Sequence, residues 1–163
     1  MKDLARQSNP VSGVELVVLP TGVRGVVAVR ISLPAGSRFA ANKALPELVA
    51  ASLELGVEGM SKELIARNLE SNAITWSISC GTTWVDIAVS MPRAKIEEFG
   101  ELLSLMLNKP SFPDEELALL KERSIALVLA SKQETGPAAW KMLTRKLFAP
   151  DHPLYEETED EEI

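Results

Sequence analysis

Apolar and polar positions alternate through the first part of the chain. Val14, Leu16 and Val18 alternate with Glu15 and Val17, and Pro20-Thr21-Gly22 supplies a turn. Val27, Val29, Ile31 and Leu33 then alternate with Ala28, Arg30 and Ser32, until Pro34-Ala35-Gly36-Ser37 ends the run. A period of two marks a strand with one face in a core, so this stretch predicts two neighbouring strands paired antiparallel.

The period changes after residue 40. Leu45, Leu48, Val49, Ser52 and Leu55 recur at helical spacing, with Gly56 as the stop. Ser61 is placed to cap a second helix with Leu64, Ile65 and Leu69 on one face. Ala50 and Ala51, beside the apolar stripe of the first helix, are expected against the sheet. A period of two returns in Ile74, Trp76, Ile78 and Cys80, set against Thr75, Ser77 and Ser79. After Gly81-Thr82-Thr83 it resumes in Val85, Ile87, Val89 and Met91, which predicts a hairpin with one apolar and one polar face.

The remainder reads as helical. Ile96, Phe99, Leu103 and Met106 form a stripe between Pro92 and Pro110. Pro113 followed by Asp114, Glu115 and Glu116 is a helix start, because the free N–H groups of a first turn favour negative charge. That helix carries Leu117, Leu120, Leu127 and Val128 to about Lys132, and Gly136-Pro137 is expected to break it. A last helix carries Trp140, Leu143 and Leu147. The order β-β-α-α-β-β-α-α-α predicts an α+β fold, an antiparallel sheet covered by helices on one face. Residues 1–12 read as an N-terminal extension, 13–155 as one domain and 156–163 as an acidic tail or the start of a linker.

Composition narrows the function classes. Six acids stand between Glu156 and Glu162, and the other 17 equal the 17 bases, so the body of the chain is neutral. No basic cluster with interleaved aromatics occurs, which argues against nucleic acid as a partner. No run of apolar residues is long enough to span a membrane, and Met1 to Pro10 lacks the apolar core of a signal peptide.

Candidate chemistry is sparse. No Gly-x-Ser-x-Gly elbow and no phosphate-binding Gly-x-x-x-x-Gly-Lys loop is present. Cys80 is the single cysteine and ends an apolar strand face, the setting of a structural thiol. His152 is the single histidine, in the loop Ala149-Pro150-Asp151-His152-Pro153. One histidine does not build a catalytic zinc site, which takes three protein ligands.

Several phrases, in this order, resemble the N-terminal domain of the pitrilysin-like zinc peptidases, the inverzincins, to which mitochondrial processing peptidase belongs. They are Leu33-Pro34-Ala35-Gly36-Ser37-Arg38, Leu53-Glu54-Leu55-Gly56, Ser61 to Leu69 with Ser71-Asn72-Ala73, Asn108-Lys109-Pro110-Ser111-Phe112-Pro113 with Glu115-Glu116-Leu117, and Phe148 through His152-Pro153-Leu154-Tyr155. That family places His-x-x-Glu-His on the first helix, where one turn brings both imidazoles to zinc and the glutamate activates water. Counted back from Gly56, the histidine positions fall on Glu47 and Ala51 and the glutamate position on Ala50. The further glutamate ligand expected on the later helix falls near Val128 and Leu129. The resemblance therefore implies an inactive domain with no catalytic, metal or cofactor residues of its own.

It further implies a partner, a catalytic pitrilysin-like half or subunit whose chamber this chain helps enclose, as in the non-catalytic half of long bacterial zinc proteases. A family unit continues into a second, similar domain, so the chain is expected to be a fragment lacking its C-terminal neighbour and, in isolation, to form a homodimer through the surface that neighbour would cover. Two alternatives stand beside it. One is a structural scaffold, like the core proteins of the respiratory bc1 complex. The other is an enzyme with an unrelated site built on Glu47 or His152.

Overall fold

The computed structural model describes residues 5–8, 13–131, 133–150, 152, 154 and 155. The acidic tail, Lys132 and most of the N-terminal extension lie outside the described residues. The chain runs β1 (Ala5–Ser8), β2 (Glu15–Val18), β3 (Val26–Leu33), α1 (Leu45–Ser52), β4 (Gly56–Val57), β5 (Met60–Ser61), α2 (Lys62–Ser71), β6 (Thr75–Cys80), β7 (Val85–Pro92), α3 (Ile96–Asn108), α4 (Asp114–Ser131) and α5 (Thr135–Leu147). The predicted order of strands and helices holds, with β1, β4 and β5 added to it.

The central sheet is antiparallel in the order β3-β7-β6. The hairpin register pairs Trp76 with Val89, Ile78 with Ile87 and Cys80 with Val85. Because side chains alternate across a strand, this register puts the whole apolar set of both strands on one face. Val85, Ile87, Val89 and Met91 on the middle strand are buried, and Ile87 is fully so. α2 and α3 cover this face with Ile65, Leu69, Phe99, Leu102 and Met106. Burying a side chain such as Ile87 or Met106 contributes roughly 1.5–3 kcal/mol. On the opposite face Asp86 accepts a hydrogen bond from Ser32 Oγ and pairs with Arg30 Nε at 3.5 Å. Polar ends solvate that side of the sheet.

The expected pair between the first two strands does not form. β2 pairs with β1 in a separate two-stranded sheet, while β3 pairs with β7. Strand length explains the exchange. The eight residues of β3 match the eight of β7 along their whole length, whereas β2 offers four.

Two glycines fix the connections around the sheet. The loop after β3 lies against the β6–β7 turn, with Gly36 N donating to Thr83 O, Ser37 N to Gly81 O and Arg38 N to Thr82 O. A Cβ on Gly36 would stand 2.4 Å from Gly81 O, so only glycine lets the two backbones meet. Gly56 has φ +153°, and a Cβ there would stand 2.6 Å from Ser111 Oγ. Its carbonyl accepts from Ser111 N, Glu58 N donates to Lys109 O, and Val57 bridges to Pro110. Two phrases distant in sequence, Leu53-Glu54-Leu55-Gly56 and Asn108-Lys109-Pro110-Ser111, are thus one structural joint.

The turn after α2 has a different solution. Ala73 N donates to Glu70 O and Ile74 N to Leu69 O, with Ala73 at φ 53°. This is the Schellman closure of a helix, and the buried contact between Leu69 and Ile74 accompanies it.

Three local expectations are corrected. Leu64 is exposed while Ile65 and Leu69 are buried, because a one-residue step turns a helical side chain by 100° and off the core face. Ser61 stands at the cap position of α2, yet its Oγ donates to Glu63 Oε2 at 2.7 Å rather than accepting from the backbone. That hydrogen bond is the main reason the Glu63 carboxyl lies below its ordinary range. Gly136-Pro137 does not break a helix but opens α5, since a proline in a first turn gives up an N–H that has no partner there.

Candidate functional site

α1 lies between the sheet, through β6, and α4. Glu47, in the first turn of α1, is the common wall of three adjoining hollows. The first is closed by Leu48 of α1 and by Leu127 and Val128 of α4. The second runs toward α5 and is lined by Trp140, Leu143, Leu147, Lys43 and Tyr155. The third holds Ala51 of α1 and Glu54 just past its end, with Lys62, Glu116 and Leu120 opposite.

The positions singled out from sequence are largely brought together. Glu47 and Val128 share the first hollow, and Glu47 and Ala51 share the third. Ala50 is buried as expected, but Ala51 is exposed to the hollow rather than packed on the sheet. The 100° step between adjacent helical residues separates the two. Leu129 is also exposed.

A zinc ion does not fit this set. Four-coordinate zinc needs nitrogen, thiolate or carboxylate donors, and these positions present one carboxylate, a methyl and an isopropyl group. Among the described residues no group of three histidine, cysteine or acidic side chains is placed to hold a metal.

His152 and Cys80 are engaged in the fold. The His152 ring stacks on Phe148 at 4.4 Å, and its Nδ1 accepts a hydrogen bond from Leu154 N at 3.1 Å. The segment is pinned where Lys43 Nζ donates to the Tyr155 carbonyl at 3.0 Å. Burial, and then the Glu47 charge, push the Cys80 thiol up, while a hydrogen bond with the Ser37 backbone opposes them. A thiol held in its neutral form is a poor nucleophile at neutral pH.

The charged end of the third hollow was not anticipated. Lys62 Nζ meets Glu116 Oε2 at 2.8 Å. Partial burial raises the Glu54 carboxyl above its ordinary value, and the Lys62 ammonium opposes that rise. Glu47 and Ala51, at i and i+4, are a signal in the sequence for one shared face of α1, and Glu54 follows just past its end. The Lys43–Tyr155 contact has no such signal, because it joins residues 112 apart.

Solved structures share this architecture. A peptidase M16 inactive domain from Pseudomonas fluorescens matches with a TM-score of 0.86 over 95% of this chain, at 22% identity. The chain has the fold of a peptidase M16 inactive domain. A protease from Helicobacter pylori matches less closely, with a TM-score of 0.67 over 77% of this chain and 11% identity. The chain spans 38% of the first protein and 30% of the second. No family model matches the sequence, and neither does any curated protein. The M16 inactive-domain fold accounts for the placement of α1 and α4 together, with the positions near Glu47, Ala51 and Val128 facing one groove. No described helix is long and apolar enough to cross a membrane.

Proposed function

We propose that this chain is a non-catalytic domain of a pitrilysin-like zinc peptidase and that it supports the chamber and the substrate binding of a catalytic half. One observation carries the reading. The fold is that of an M16 inactive domain, and the α1 and α4 positions where a catalytic copy would hold zinc carry a single carboxylate, Glu47. The exposed apolar side chains of α4 and α5 add support, because a large apolar surface on a soluble domain marks a contact with another protein. The zinc chemistry in this proposal belongs to the partner half, which carries an intact His-x-x-Glu-His, and the parent assembly is a zinc metalloendopeptidase.

The test mixes the purified chain with a catalytic half from the same source and follows cleavage of an internally quenched peptide. The chain alone cleaves nothing and retains no stoichiometric zinc after dialysis, while the mixture cleaves faster than the catalytic half alone. Cleavage by the chain alone that is lost on Glu47→Gln overturns the proposal. A partner that binds the chain with no change in cleavage also overturns it, in favour of a scaffold.

A further inference from the structure

We infer that the groove beside α1 is a docking site for a polypeptide segment carrying one basic side chain between apolar ones, with Glu47 receiving the lysine ammonium or arginine guanidinium. The inference rests on the reading of the chain as a substrate-supporting domain and adds the chemistry of what it binds.

Three features select this occupant. The groove is apolar on both sides of Glu47. Leu48, Leu127 and Val128 line the first hollow, and Trp140, Leu143 and Leu147 the second. Leu127 is 63% exposed, Trp140 59% and Leu147 65%. Apolar side chains so exposed within one concave surface gain most from an apolar ligand that removes them from water.

Charge is the second feature. No hydrogen bond or ion pair among the described residues reaches Glu47. Of the other charges of the groove, Glu116 pairs with Lys62 at 2.8 Å and Lys43 donates to the Tyr155 carbonyl at 3.0 Å. Among the described residues Glu47 is the only titratable side chain lining the first hollow. The third holds Glu47, Glu54 and Glu116 against Lys62 and Arg123, so it too keeps an excess of one carboxylate. A cation is the electrostatic complement of both.

Shape is the third. Glu47 lines all three hollows, and the first and third also share Ser124 and Leu127, so an occupant that fills more than one runs alongside Glu47. An extended peptide places successive side chains in adjoining hollows in this way.

Fluorescence anisotropy with two labelled synthetic peptides tests the inference. One places a single arginine between leucine pairs in a Gly-Ser frame, and its twin has glutamine in place of arginine. The wild-type chain should bind the arginine peptide about fivefold more tightly, the range of a partly exposed ion pair, and high salt should narrow the gap. Glu47→Gln should remove the preference while leaving affinity for the glutamine peptide unchanged. An unchanged melting curve shows that this exposed substitution leaves the fold intact. Leu127→Asp should weaken both peptides.

Equal affinity of wild type for the two peptides overturns the inference. So does a preference that survives Glu47→Gln, or the absence of binding to either peptide. None of these outcomes touches the cleavage assay with the catalytic half. Failure there, with the arginine preference intact, removes the protease reading and leaves the basic-segment site in place.

Discussion

The two helix pairs of the domain, α2 with α3 and α4 with α5, are built differently. α2 and α3 lie on the face of β6 and β7, and between them Ile65, Leu69, Phe99, Leu102 and Met106 are lost to solvent. α4 is longer than either of these helices, yet none of its residues is buried. Its leucines are half-buried or exposed, and α5 exposes Trp140, Leu143 and Leu147. Both sides have apolar residues in helical rhythm. On one side the rhythm is answered by a sheet face, and on the other it surrounds a groove. An apolar stripe therefore tells where a helix wants a partner, and only packing tells whether that partner lies within the same domain.

The widest expected gap between the two sides is in stability. Ile87 is 0% exposed at the centre of the sheet, and Ile87→Ala should cost about 3 kcal/mol, since it leaves a cavity as well as losing transfer energy. Leu127→Ala, on the groove side, should change stability by no more than about 0.5 kcal/mol. Urea midpoints of the two variants decide the point. Equal shifts would break the comparison and show that α4 packs as tightly as α3.

The same contrast explains what the sequence revealed. The hairpin was legible because Ile74 to Met91 keep a strict period of two, and one face of that pattern has a single burial partner. The joint between Gly56 and Ser111 was legible only as two separate phrases, since their contact lies far apart in sequence. The pairing of β3 with β7 was hidden for the same reason, and adjacency pointed wrongly to β2. In the groove, Glu47, Ala51 and Val128 were identified through a family resemblance. Periodicity placed Ala51 on the wrong side, because Ala50 and Ala51 are chemically alike and only the backbone's rotation separates them. The ion pair of Lys62 with Glu116, on different helices, left no local signal.

A smaller effect sharpens the comparison on its packed side. Ala73 holds φ 53° between α2 and β6, where an L-residue crowds its own carbonyl. It stays there because Leu69 and Ile74 are locked in the core on either side of it. Ala73→Gly should stabilise the protein by about 0.5–1 kcal/mol, the strain relieved less the added freedom of the unfolded chain. A lowered melting temperature would show that the core holds that turn without strain.

The smallest expected effect lies on the groove side and depends on pH. Partial burial raises the Glu54 carboxyl above its ordinary 4.5, and Lys62 opposes the rise. A raised value means that the native state holds its proton more tightly than the unfolded chain. Stability from this group is therefore complete below about pH 4.5 and declines as pH rises through the native value. Glutamine has no proton to lose, so Glu54→Gln should match wild type near pH 4 and gain on it by pH 7. Because Lys62 attracts the ionised form, Lys62→Gln should cost more at pH 7 in the wild-type background than in Glu54→Gln. Melting temperatures of the four proteins from pH 4 to 7 test both statements. A Glu54→Gln protein that loses ground to wild type as pH rises would mean that the ionised carboxylate is stabilised in the fold. The third hollow would then be an ion-pair site built for stability, like the packed layer of α2 and α3.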